Sequence, residues 1–389
     1  VLIGKRQSFV ASTDTQDSAL DGMVARAVAM ARAAPEDDYC GLAEAADHAK
    51  AWPALDLVDE APPPAEKALL DRAMAVEDAA RAVKGVVNSE GGEASFSRYL
   101  SALATSTGFA GTYGGTRHGV SASVVASNSE GMERDYEFAS THHLADMPDP
   151  ASIGRKAGEN AVKRLGPRKV ASQSVPVIFD PRVANSLVGH LAGAINGQAV
   201  ARGTSFLKDR MGQAIFPAGV RIIDDPLRKR GLRSRPFDGE GLAGKERALI
   251  DDGRLTTWLL DTASGRQLKL PSTGHASRGP GSPPHPSASN LYLAPGRVTP
   301  EKLIADIKSG IYVTDLIGFG VNGVTGDYSR GAAGFWIENG VLAFPVSELT
   351  IAGNLLDMFR HVTAANDLVF KYGTDSPTVR VDGMTVAGT

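Results

Sequence analysis

The histidines are the first residues to ask about, because imidazole is the side chain whose charge changes near neutral pH and the commonest ligand of transition metals. His190 stands in ANSLVGHLAGAING, residues 184–197. At about 3.6 residues per turn it shares a helix face with Val183, Leu187, Leu191 and Ala194, which points it at a core. A ring so placed is expected to find hydrogen-bond partners inside the protein, since an unpaired buried donor costs roughly 1–3 kcal/mol. His142 and His143, followed by Asp146 and Asp149, have the residue types of a metal site. Adjacent side chains on an extended segment face opposite ways, however, so one ion cannot take both. His275 and His285 lie in TGHASRGPGSPPHPSASN, residues 273–290, a Gly, Pro and Ser-rich stretch that reads as a long mobile or functional loop. They are conceivable ligands or substrate contacts, without a third partner.

Two glycine-rich motifs and a basic run have sharper alternatives. GFGVNG, residues 318–323, matches G-x-G-x-x-G, and Glu338 follows at a suggestive distance. What comes next, VTGDYSRGAAG, cannot open a helix, so the amides and dipole that would hold a pyrophosphate are missing and the motif reads as a β-turn. GDYSRG, residues 326–331, has Asp327 where a nucleophile elbow needs glycine, so Ser329 is not expected to be a nucleophile. Arg228, Lys229, Arg230, Arg233 and Arg235 could touch phosphate, but no aromatic residues interleave, and a solvated loop is expected.

Elements must hold these residues in place. Leu20, Met23, Val24, Ala27, Val28 and Ala31 recur at helical spacing up to Ala34-Pro35, after a first strand. Leu69, Ala73, Val76, Ala80 and Val83 mark a second helix beyond the PPP at 62–64. From Val86 to Phe138 short alternating runs such as VSASV predict an antiparallel meander. A third helix follows Asp149-Pro150, with Ile153, Ala157, Ala161, Val162 and Leu165 on one face, and stops at Gly166-Pro167. We place the domain boundary there: an N-terminal domain of residues 1–167 and a C-terminal domain of residues 168–389. The second opens with the strand VPVIF and the His190 helix, with Asp180 as N-cap and Pro181 at the first position. Asn339-Gly340 inside WIENGVLAF signals a hairpin, PVSELTIAGN another strand, and TPEKLIADIKSG, residues 299–310, a short capped helix ending at a glycine.

With 42% hydrophobic and 22% charged residues and a net charge of -3 over 389 residues, the composition is that of a soluble globular protein of two or three domains, without the basic excess of a nucleic-acid binder. Its 43 glycines suit a β-rich chain with many tight turns. Cys40 is the single cysteine, which excludes an internal disulfide and any zinc site needing two thiolates from this chain, and fits a reducing, cytoplasmic setting. No apolar run approaches the ~20 residues of a membrane helix, and VLIGKRQSFV lacks the pattern of a signal peptide. The chain opens without methionine, in what reads as mid-strand, so further N-terminal sequence is expected.

Several long segments, in order, carry a resemblance: PVIFDPRVANSLVGHLAGAINGQAVARGTSFLKDRMG, SRPFDGEG, WLLDTASGRQLKL, STGHASRG, VTGDYSRGAAGFWIENG and ELTIAGNLLDMF. Together they resemble the TldD/PmbA family, and within it the PmbA (TldE) branch, over essentially the whole chain. In the TldD branch this helix bears His-Glu-x-x-x-His, where two histidines and a later cysteine bind zinc and the glutamate is the general base. In register with Gly189-His190, the first histidine falls at Asn185 and the glutamate at Ser186, so only His190 remains. AANDLVFKYGTDSPTVRVDG has no cysteine where that branch supplies its thiolate.

The resemblance, with the patterns above, implies an α+β fold: N-terminal helices with an antiparallel sheet, then a mainly antiparallel β domain, barrel-like or of sandwiched sheets. It implies a non-catalytic subunit that holds no metal and pairs with a TldD-type zinc subunit in a peptidase acting on unfolded or short peptides, where it would form a β-rich wall gripping an extended peptide by edge-strand pairing. For that wall the expected contacts are the loop at 273–290, with His275 and Arg278, and Asp327, Tyr328, Ser329, Arg330 and Gly331. Two alternatives remain: a self-sufficient homodimeric peptidase using His275 or His285, and a protein that modulates DNA gyrase. No direct nucleic-acid or membrane contact is expected.

Overall fold

The computed structural model describes residues 1–388. The chain opens with a two-rung hairpin, β1 (Leu2–Ile3) and β2 (Arg6–Gln7), packed on α1 (Asp17–Ala33). After the PPP break comes α2 (Glu66–Arg81), then the meander β3 (Val86–Ala104), β4 (Ala110–Asn128) and β5 (Gly131–Thr141), then α3 (Pro150–Lys163). The strands are longer than the alternating runs suggest, because register shifts near Val86 and Ser89 keep the glycine-containing run of β3 in one ladder with β4. Every second residue of β4, Val120 to Ala126, is buried beneath Val76 and Ala80 of α2 and Ile153, Ala157 and Ala161 of α3. The first core is therefore a sheet with two helices on one face.

A second, larger core follows. Its elements begin with β6 (Gln173–Phe179), α4 (Pro181–Ala194) and α5 (Gly197–Ala201), then β7 (Ile222–Asp224), β8 (Arg247–Asp251) and β9 (Arg254–Leu255). Next come α6 (Thr262–Leu268), β10 (Ala276–Ser277), β11 (His285–Pro286), β12 (Leu291–Leu293) and α7 (Pro300–Ile304). The chain closes with β13 (Ser309–Ile317), β14 (Asp327–Glu338), β15 (Val341–Asn354), α8 (Leu355–Arg360), β16 (Val362–Ala364), β17 (Thr374–Asp375) and β18 (Val379–Ala387). Strands β15, β14, β13, β6 and β18 pair in that order, and β18 returns to β15 at Ile351–Val386, which closes a five-stranded barrel. Closure leaves these strands few open edges. A second sheet runs β17-β12-β7-β8-β9. Pairing is mainly antiparallel, with parallel contacts between β6 and β13 and between β12 and β17.

Helix α4 contacts β6 and β13 of the barrel and β12 and β17 of the second sheet, which buries Val183, Ala184, Leu187, Val188, Leu191 and Ala194. The β14–β15 turn has Asn339 and Gly340 at φ 49° and 79°, the left-handed pair that an Asn-Gly hairpin requires. Two expectations fail here. The helix within 299–310 ends at Ile304, and Gly310 lies inside β13, because the apolar run GIYV pairs with β6 and β14 rather than continuing a helix. The stretch 273–290 is pinned at both ends: β10 pairs with β11, and His275, Ala276, Ser289 and Asn290 are buried. The segment around residues 39–49, quiet in sequence, lies along the second core. Arg266 donates to the carbonyls of Tyr39, Cys40 and Leu42, and the Ala49 amide bonds Gly241 O at 2.9 Å. No described helix is long and apolar enough to cross a membrane.

Candidate functional site

Helix α4 starts where its cap dictates: the Asp180 carboxylate accepts the Arg182 amide at 2.9 Å, with Pro181 in the first turn. Opposite its buried stripe, Gly189 and Gly193 are exposed and Asn185 and Ser186 half-buried. The Ser186 hydroxyl donates back to Val183 O at 2.7 Å. Asn185 is neutral and Ser186 carries no carboxylate, so this face offers neither an anionic ligand nor a base for a water proton.

His190 departs from expectation. Its Nε2 is buried with no hydrogen-bond partner, and the ring meets Tyr328 edge to face, 5.9 Å between centroids at 74°. Tyr328 is 1% exposed and its hydroxyl is also unpartnered. Arg330, two residues further on β14 and hence on the same strand face, has an unpartnered Nε as well. Burial, and then the Arg330 charge, push the His190 pKa down to about 4, so its ring is neutral at pH 7. In place of the predicted partners, the ring of Tyr328 and the charge of Arg330 stand beside the imidazole.

Zinc requires about three protein ligands, and a cation beside the site makes holding the ion less favourable. Here the set is one imidazole, an amide, a hydroxyl and a guanidinium close enough to depress that imidazole. Among the described residues no three His, Cys, Asp or Glu side chains converge to hold a metal. The residues do not fit a zinc ion.

The residues picked for a peptide wall divide. Asp327 to Gly331 all lie on β14, but β14 has β15 on one side and β13 with the following turn on the other, so no edge is free there for a peptide. Asp327 is exposed and holds the turn, accepting Thr325 Oγ1 at 2.6 Å and Asn354 Nδ2 at 3.3 Å. Ser329 is exposed, with its amide on Gly320 O at 2.7 Å. A Cβ at Gly320 would stand 1.8 Å from Ser329 O, so the GFGVNG turn needs glycine for a close backbone approach rather than for phosphate. Arg278 is exposed on the far stretch. His275 is 2% exposed, with Nδ1 on Thr273 Oγ1 at 2.8 Å and Nε2 on Asp224 Oδ2 at 3.2 Å. It cannot touch a peptide, and with both nitrogens engaged it has no lone pair directed at an ion.

A buried acidic group escaped sequence reading. Glu240, in SRPFDGEG, accepts the Thr262 amide and hydroxyl at 2.8 and 2.6 Å, capping α6. Burial first, with the Asp238 charge adding to it against the Thr262 bonds, pushes its pKa up to about 7. A raised carboxyl pKa means the folded chain keeps a proton that the unfolded chain has already released. Stability should therefore fall as pH rises from about 4.5 to about 7 and stay lower above. Glu240→Gln should remove that fall, leaving stability at pH 5 little changed and raising it at pH 8 by on the order of 3 kcal/mol, measured by urea titration at both pH values. A variant no more stable than wild type at pH 8 would refute it.

The remaining motifs are structural. His142 is buried between Thr116 O at 2.7 Å and Gly231 O at 3.1 Å, while His143 turns to Asp56, so the two share no ion. In the basic run Arg230 pairs with Asp56 and Asp146, Arg235 donates to Ser287 O, and Arg228 stacks over Phe370 at 3.3 Å. Guanidiniums so engaged are not a phosphate-binding stripe.

Comparison with known proteins agrees with this architecture. Residues 59–165 match the PmbA/TldA metallopeptidase central domain, and residues 172–388 the PmbA/TldA metallopeptidase C-terminal domain. The chain is 38% identical over 384 residues to the metalloprotease PmbA of Escherichia coli O157:H7, spanning 98% of this chain and 83% of that protein. Its structure is similar to that of a proposed modulator of DNA gyrase from Bacteroides thetaiotaomicron, with a TM-score of 0.89 at 26% identity over 100% of this chain and 87% of the other. TldE from Thermococcus kodakarensis superposes with a TM-score of 0.84 at 20% identity, covering 99% and 88%, a likeness of fold.

Proposed function

The chain belongs to the PmbA/TldD metallopeptidase family, and from that premise we propose that it is the non-catalytic, PmbA/TldE-type subunit of a cytoplasmic two-chain peptidase. Zinc and the general base belong to a TldD-type partner, and the substrates are unfolded or short peptides. The observation that carries this reading is the chemistry on α4: Asn185 and Ser186 stand where a ligand and a base are needed, and Arg330 places a permanent charge beside His190. Enclosure is then the contribution of this chain. The outer strands of the meander, β3 and β5, each keep an open edge, which makes them better places than β14 for an extended peptide to pair.

The test is to purify this chain and a TldD-type partner separately, measure zinc in each, and assay hydrolysis of an unstructured peptide by each alone and by the mixture. Stoichiometric zinc only in the partner and hydrolysis only in the mixture are the expected results. Hydrolysis by this chain alone, or a partner fully active without it, would overturn the assignment.

A further inference from the structure

We propose that the cluster of His190, Tyr328 and Arg330 is a receptor for one carboxylate group, supplied by a peptide. Three polar atoms from α4 and β14 are sealed from solvent and unpartnered: His190 Nε2, Tyr328 Oη and Arg330 Nε. Arg330 Nε can only donate, Tyr328 Oη can donate, and His190 Nε2 donates in the tautomer that carries its proton there. With the imidazole neutral, the cluster has a single positive charge, on Arg330. A cation is repelled, a water molecule leaves that charge unmatched, and a phosphate brings excess negative charge. A carboxylate brings one charge and oxygens able to accept from a guanidinium and a hydroxyl together.

The Arg330 guanidinium is half-buried and held by Nη2 to Leu316 O at 3.3 Å, a contact that a carboxylate entering from the outer face of α4 would have to displace. That face is bare: a Cβ at Gly189 or Gly193 would meet nothing within 4 Å. The inference deepens the proposed role, since a peptide is the source of the carboxylate. It is measured on this chain alone, so failure of carboxylate binding and failure of partner-dependent hydrolysis are separate results.

The probes are N-acetyl-Ala-Ala as the free acid, its C-terminal amide, and N-acetyl-Ala-Glu as the amide, titrated against the His190 ring resonances at constant pH. A saturable shift with the free acid and none with the Ala-Ala amide is expected, weakened roughly tenfold or more in Arg330→Gln and largely kept in Arg330→Lys. Binding of the Glu-bearing amide would assign the carboxylate to an acidic side chain, and its silence to a peptide C-terminus. Tyr328→Phe, which keeps the ring and loses the hydroxyl, should weaken binding and serves if Arg330→Gln does not fold. Equal binding of acid and amide, no saturable shift, or affinity unchanged in Arg330→Gln and Tyr328→Phe would overturn the proposal.

Discussion

Asp135→Ala is expected to cost the folded chain about 3–5 kcal/mol, read as a lower urea midpoint at unchanged slope. The Asp135 side chain is 3% exposed on β5, and its Oδ1 accepts Arg182 Nη1 from the first turn of α4 at 2.8 Å. Its Oδ2 lies 3.4 Å from Arg164, at the end of α3. Arg164 keeps Glu133 and Asp315 when Asp135 is removed. Arg182 keeps the face of Tyr136, at 4.5 Å, which does not replace a carboxylate, so a buried guanidinium is left uncompensated. Burial alone would lower the Arg182 pKa, but Asp135 holds it above its ordinary value. The pair borders a cavity of about 490 Å³ between the two cores, and it ties the N-terminal sheet to the start of the helix that carries His190. Removing both charges, as Asp135→Leu with Arg182→Met, should recover most of the loss, because the penalty lies in the orphan rather than in the pair. A single variant losing under about 1 kcal/mol would show that the bridge is solvated.

Much of this fold was legible because local signals agreed with tertiary need. Asp180-Pro181 capped α4, Asp149-Pro150 capped α3, and Asn339-Gly340 turned β14 into β15, each through backbone chemistry that needs no distant partner. The failures share a cause, which is dependence on remote residues. The periodicity of residues 299–310 could not show that Gly310 to Val313 would be claimed by β6 and β14. Gly, Pro and Ser around His275 read as mobile because Asp224, about fifty residues away, was not recognisable as its partner. At the site, spacing placed His190 toward the core and the resemblance supplied the degenerate positions Asn185 and Ser186. That Tyr328 and Arg330 would be what His190 meets depends on barrel closure, which no local pattern encodes. The i, i+2 spacing of Tyr328 and Arg330 on a strand was the one available hint that they act together.

Asp224→Ala should lose about 3–5 kcal/mol as well, and set beside His275→Ala it distinguishes a structural histidine from a catalytic one. Asp224 is fully buried and accepts the Ser289 amide at 2.6 Å, the Ser289 hydroxyl at 2.7 Å and His275 Nε2 at 3.2 Å. Burial pushes its pKa up, but the His275 and Ser289 bonds prevail and hold it below the ordinary carboxylate value of 3.8. A depressed folded pKa means that this stabilisation is present in full above about pH 4 and is lost as pH falls further, so Asp224→Asn should flatten the acid limb of the stability curve without touching the alkaline one. His275→Ala removes one of the three donors and should cost about 1–3 kcal/mol. Neither substitution removes a group that can reach zinc or a peptide. When folded protein is matched, both variants should therefore support the same hydrolysis as wild type in the proposed two-chain peptidase. Hydrolysis or zinc content that falls further in His275→Ala than the folded fraction does would place chemistry at the buried end of this network and favour a self-sufficient peptidase.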